Sequence, residues 1–241
     1  MGGIEAGSGA AGAPAGAAPS RATTPSPGPK AWSWELSTDP VWEEAAEDLY
    51  YPAARWAAKG FRRVLDLGCG LGRNAVLFAE RGFEVAAVDL SPLAVAKTEE
   101  KAAARGLSLK TAVCDMAALP FPDGAFDCLF AYHVVSHTDS AGIGGILAEM
   151  GRVVRPGGEL YATFCSKESP SFASGRHPRL DDNTILKTEG PEVEIPHYYS
   201  DEASLRKVLA VAGFRVEKLR HTYDLFEDGF GCHYFALCSR P

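Results

Sequence analysis

The chain has 241 residues, of which 46% are hydrophobic and 23% charged, with a formal net charge of −7. These are proportions of an ordinary globular protein. No apolar stretch approaches the ~20 residues that span a bilayer, and no Lys/Arg run has the density of a nucleic-acid patch, so neither membrane nor nucleic acid is an expected partner.

The averages hide a division. Residues 1–30 hold eight Ala, seven Gly and five Pro, too little apolar surface to offset the entropy of ordering, and read as a disordered tail. The N-terminus has neither a charged n-region nor a continuous apolar h-region, so a secretory leader is not expected. The tail carries Glu5, Arg21 and Lys30, which leaves −8 on the rest. Residues 31–241 suit one domain. Residues 31–60 are aromatic and acidic, with Trp32, Trp34, Trp42, Tyr50, Tyr51 and Trp56. Asp39-Pro40 reads as a helix start, giving an N-terminal helical cover that either packs on the core or acts as a lid.

Beyond Gly60 strand and helix alternate: strands at 63–67, 84–88, 107–113, 126–132 and 160–165, helices at 73–81, from Ser91-Pro92 to about Gly106, and from Ile143 to Val154. Strict alternation means a parallel sheet covered on both faces. Residues 166–200 lack periodicity, and so long a connection in a compact domain is usually functional; it reads as a substrate lid. Ser200 is the expected cap of a last helix. Two closing strands, 214–223 and 233–239, are joined by a turn at Asp228-Gly229 and are therefore antiparallel. The six cysteines form no CxxC pair, which fits free thiols in a reducing, cytoplasmic setting.

The chemistry lies at the strand ends. Asp66-Leu67-Gly68-Cys69-Gly70-Leu71-Gly72 follows a strand and enters a helix. Alternate glycines let backbone approach a ligand closely, at the end of an open α/β sheet where ligands bind. Arg73 replaces the glycine of a dinucleotide fingerprint, and the acid ahead of the turn suits an amine-bearing ligand. Asp89 ends the second strand, where a carboxylate can accept both hydroxyls of a ribose. Asp115-Met116 follows the third strand, Phe126-Asp127 opens the fourth, and Arg155-Pro156-Gly157-Gly158 precedes the fifth.

In this order the motifs resemble class I S-adenosylmethionine-dependent methyltransferases of the small-molecule type common in bacteria, with specific likeness over residues 60–165. The resemblance implies a Rossmann-like, doubly wound α/β domain whose mostly parallel seven-stranded sheet has an antiparallel last strand. It implies S-adenosylmethionine as cofactor, with Asp66, Gly68, Gly70 and Gly72 around its methionine part. Asp89 would hold the ribose, Leu90, Asp115 and Met116 the adenine, and Ala131 and Tyr132 would border the methyl end. Val135-Ser136-His137 departs from a common two-histidine version at Ser136 and keeps the second histidine.

Methyl transfer from a sulfonium needs alignment and water exclusion before it needs a base. His133 and His197 are the candidate catalytic groups, and His137, Tyr198 and Tyr199 the candidate substrate contacts. No metal site is expected, although His133 and His137 would share a face at i, i+4 on a helical turn. A small-molecule acceptor is the leading reading. A protein or RNA acceptor, or a non-catalytic regulator that binds the cofactor, stays open.

Overall fold

A computed structural model describes residues 28–37, 39–226 and 229–241. Residues 1–27 of the expected tail, and Asp228 of the expected closing turn, lie outside the described residues.

Three short 3-10 turns, Trp34–Leu36, Pro40–Trp42 and Glu47–Leu49, lead into α1 (Tyr50–Ala58). Asp39-Pro40 does open a helical turn, Asp39 Oδ1 accepting the Val41 N–H at 2.9 Å, but the turn ends after three residues. There follow β1 (Arg63–Leu67), α2 (Arg73–Glu80), β2 (Glu84–Asp89), α3 (Pro92–Ala103), β3 (Lys110–Val113), β4 (Phe126–Ala131), α4 (Ile143–Val153) and β5 (Val154–Ser166). Ser91 caps α3, its Oγ accepting the Ala94 N–H at 3.3 Å with Pro92 in the first turn. The connection holds α5 (Pro170–Ala173), β6 (Arg179–Asp181), β7 (Thr184–Leu186) and β8 (Pro196–Ser200). The chain closes with α6 (Glu202–Val211), β9 (Arg215–Phe226) and β10 (Gly229–Ser239).

The main sheet runs β3-β2-β1-β4-β5 in parallel, then β10 antiparallel to β5, then β9 antiparallel to β10. Seven strands with one reversed is the expected topology. Residues 166–200 differ from expectation, because β6, β7 and β8 form a small antiparallel ribbon. Strands of three and five residues are too short to show periodicity. β8 then joins the carboxyl end of β5 in parallel, Cys165 opposite Tyr199 and Ser166 opposite Ser200. Ser200 therefore ends a strand instead of capping α6. Asp201 is the cap, in a reciprocal box with Ser204 that satisfies two otherwise unpaired donors.

Alternation along the strands sends side chains to two cores. Leu65, Leu129 and Leu160 face Ile146, Leu147 and Met150 of α4 and Leu205 and Leu209 of α6. Val64, Cys128 and Phe130 face Trp56 of α1 and Phe78 of α2. Two buried acids tie the amino ends of the strands. Asp127 accepts the N–H groups of Arg62 and Arg63 at 2.9 Å and the Arg155 Nε–H at 2.7 Å. Burial would raise its pKa, but those donors outweigh it and hold the group at about 2. Glu159, 1% exposed, accepts from Arg55 Nε and Nη2 at 2.9 and 2.8 Å, from Trp56 Nε1 at 3.0 Å and from Lys59. Phe126-Asp127 and Arg155-Pro156 are thus joints of the frame, at the end of the sheet opposite the glycine turn.

Candidate active site

The turn between β1 and α2 is built around glycines with left-handed backbone. Gly70 has φ +54°, and a Cβ there would lie 2.6 Å from the Trp34 ring. Gly72 has φ +80° and a Cβ there would lie 2.8 Å from Thr98. An L side chain would be strained at both and would have no room. The Asp89 carboxylate fixes this turn from β2: Oδ2 accepts the Gly70 N–H and Oδ1 the Ser91 N–H, each at 2.9 Å. Each oxygen keeps a lone pair for a further donor. Burial raises the pKa of Asp89, and the Ser91 and Gly70 N–H groups partly offset it.

Asp66 lies beneath the turn, 1% exposed, with Oδ2 lacking any hydrogen-bond partner. Burial, and next the charge of Asp89, push its carboxyl up to about 7. An acid poised to change charge below a ligand turn is a feature of binding sites.

A cavity of about 680 Å³ opens from this turn. Gly68, Gly70, Asp89, Leu90, Asp115, Met116, Tyr132, His133, His137, His197 and Tyr199 all line it. The remaining predicted residues do not. Asp66 sits behind the wall. Gly72 is spent on the approach of α2 to Thr98. Ala131 is fully buried in the core on the α4 side. Tyr198 departs from its expected substrate contact for a geometric reason: β8 alternates, so His197 and Tyr199 face the cavity while Tyr198 packs into that same core.

His133 leaves β4 with φ +55°, a left-handed conformation rare outside glycine, held by its N–H donating to Thr163 Oγ1 at 2.6 Å. Burial, then the neighbouring His233 and Arg73, hold its pKa well below the usual histidine value, so the ring is neutral. Its ring meets His233 at 4.5 Å. With this backbone at His133 no helical turn holds it at i, i+4 from His137. His137 instead meets His197 at 4.7 Å and lies under Trp32. Ser136 works as a clasp: its Oγ accepts the Cys165 N–H and its carbonyl the Tyr198 N–H, at 3.0 and 2.8 Å, tying β5 and β8 beneath the cavity.

Several wall residues gave no separate signal. Trp32, Trp34 and Trp42 close the cavity from the N-terminal segment, with the Arg73 guanidinium 4.9 Å over the Trp42 ring. Their aromatic character was visible in sequence, their target was not. Lys187, Glu192 and Thr163 also line the cavity, and no spacing rule connects them to the glycine turn.

Residues 64–158 match the family described as "Methyltransferase domain". This segment is a methyltransferase domain. Its surroundings agree. The chain is 38% identical over 130 residues to a demethylmenaquinone methyltransferase of Thermus thermophilus, covering 52% of this chain and 54% of that one. It is 35% identical over 164 residues to a ubiquinone/menaquinone biosynthesis C-methyltransferase of Bordetella parapertussis, covering 65% and 58%. The chain spans about half the length of the first curated relatives it matches. Among solved structures it is similar to a didemethyltoxoflavin N1-methyltransferase of Burkholderia thailandensis, with TM-score 0.62, 21% identity, and coverage of 86% and 84%. At that identity the likeness speaks for the fold alone. The residues of the domain fit S-adenosylmethionine, the cofactor the sequence resemblance implies: a glycine turn without room for side chains, a carboxylate at the end of β2 facing the cavity, and a partnerless Asp66 oxygen beneath. Among the described residues no helix is long and apolar enough to cross a membrane.

Proposed function

We propose that this protein transfers a methyl group to a small-molecule acceptor held between the strand ends and the 166–200 connection. One observation carries the reading: the glycine turn, Asp89, the histidines that follow β4 and His197 of β8 open into a single cavity of about 680 Å³. That volume lies within the range of small-ligand pockets.

S-adenosylmethionine brings an electrophilic methyl on an excellent leaving group. The chain's task is to align the acceptor and keep water out, which can supply roughly 7–11 kcal/mol of the barrier. Gly68, Gly70, Asp89, Leu90, Asp115 and Met116 hold the cofactor side, with Asp66 acting from behind the turn. Tyr132 and Tyr199 give the acceptor side flat apolar walls, and the tryptophans cover it. His133, neutral and on the wall, is the candidate proton acceptor. His197 is a less free base than its position suggested, because Nδ1 faces the Ile195 carbonyl and Nε2 the Glu192 carboxylate, both at 3.0 Å. We assign it to positioning. The net charge of −7 disfavours an RNA acceptor. The six unpaired cysteines favour a reducing, cytoplasmic setting.

The test is S-adenosylhomocysteine formation with phenol, enol, thiol and amine acceptors, with products read by mass. Turnover that falls about 10²–10⁴-fold in His133→Ala, with cofactor affinity intact, supports the base assignment for a protonated acceptor. Tight cofactor binding with no turnover on any class would favour the non-catalytic regulator instead.

A further inference from the structure

The wall opposite the glycine turn holds a cluster that methyl transfer does not require. His137 comes from the turn after β4, Glu192 from a 3-10 turn at Gly190–Glu192, and His197 from β8. Glu192 Oε1 lies 3.0 Å from His197 Nε2 and 3.7 Å from His137 Nε2. All three donor atoms lie within 4.8 Å of one another. Donors bound to one ion at 2.0–2.1 Å stand about 3–3.4 Å apart in tetrahedral or octahedral arrangement, so two of these contacts are near that spacing already.

Hydrogen bonding makes the cluster more than a coincidence of residue types. The Ile195 carbonyl can only accept, so His197 Nδ1 must carry the proton at that 3.0 Å contact. In a neutral ring Nε2 then turns its lone pair toward a carboxylate oxygen, two acceptors facing each other in a site where the His197 side chain is 3% exposed. Only a proton or a cation between them resolves the conflict. A histidine whose far N–H donates to a carbonyl is also the usual arrangement behind a metal ligand, fixing tautomer and orientation. Lys187 Nζ, 3.2 Å from Glu192 Oε2, occupies the other carboxylate oxygen, so Oε1 is the one left to a metal.

We propose that His137, Glu192 and His197 form a binding site for a divalent transition-metal ion, with its remaining coordination positions open to the cavity. Two imidazoles and one carboxylate suit zinc and its neighbours better than magnesium or calcium. The site stands on its own geometry. Its use, as an anchor for an anionic oxygen or sulfur of the acceptor, rests on the methyl-transfer reading.

Full-length protein stripped with a chelator and returned to metal-free buffer is titrated with zinc by calorimetry, and with cobalt(II) by visible absorption. The expected result is one equivalent bound with Kd below about 1 µM, and a cobalt d–d band of a low-coordinate site. Glu192→Gln, His137→Ala and His197→Ala should each weaken zinc by at least about 100-fold, while His177→Ala, outside the cluster, leaves it unchanged. Thermal melts and S-adenosylhomocysteine binding on every variant report folding. If the buried His197 variant does not fold, the more exposed Glu192 and His137 positions carry the test. No saturable zinc binding up to about 100 µM, or equal affinity in all variants, overturns the proposal, and a proton shared between His197 and Glu192 then accounts for the contact. Because the readout is metal and not turnover, failure here leaves the methyl-transfer reading standing, and failure of turnover leaves the metal site standing.

Discussion

Replacing Asp66 with Asn removes a charge at nearly constant shape from beneath the glycine turn. In the folded protein this carboxyl titrates near 7, against an ordinary value of 3.8. Between those values the folded state holds a proton that the unfolded state has released. Stability must therefore fall as pH rises from about 4 to about 7. Three units at 1.36 kcal/mol each put the loss from this one group at up to about 4 kcal/mol. Asn cannot release a proton there, so the stability difference between variant and wild type should move in favour of the variant by about that amount from pH 4 to 8. Urea unfolding of both proteins across this range measures it, and the difference cancels titration of His133 and other shared groups. The same substitution should weaken S-adenosylhomocysteine at pH 8, by about tenfold or more, if the Asp66 charge acts on the cofactor's ammonium from behind the turn. Parallel stability–pH curves for the two proteins would refute the reasoning, because Asp66 would then be ionised in both states or in neither.

Asp89→Ala should weaken S-adenosylhomocysteine by at least about 10²-fold in calorimetry, since it removes charge-assisted acceptors worth about 1.5–3 kcal/mol each and frees the Gly70 N–H; an unchanged Kd would remove the ribose assignment. Glu159→Gln should cost about 2–3 kcal/mol in urea unfolding, near the low end for a broken buried pair because Arg55 and Lys59 can turn to solvent. Its ordinary pKa is lowered by Arg55 and Lys59 against the cost of burial, so wild type should lose this contribution as pH falls below about 4.5 while the variant does not. Trp34 packs against Gly70 with its indole N–H buried and unpaired, so S-adenosylhomocysteine should change tryptophan emission, and Trp34→Phe should lose most of that change. Emission that ignores the ligand would exclude Trp34 from the cofactor's surroundings.

Much of the frame was legible from the chain itself. Strand and helix periods, the Ser91-Pro92 start, and the glycines at 68, 70 and 72 are local signals, each set by the backbone geometry of a few neighbouring residues. That Gly68, Gly70, Asp89, Leu90, Asp115 and Met116 would line one cavity followed from them, because a parallel sheet must place its strand ends together. Even the partition of β8 into cavity-facing His197 and Tyr199 and core-facing Tyr198 obeys a local rule, but the rule could not be applied until residues 196–200 were known to be a strand. That strand exists because β7 pairs with it on one side and the end of β5 on the other, contacts that only the folded chain brings together. Only the tertiary structure decided that Trp34 would rest on Gly70, that His137 would meet His197 rather than His133, and that Glu192 would stand between two imidazoles. Such meetings depend on where distant elements dock, and their energy comes from the packed surfaces beneath them, so no spacing along the chain encodes them.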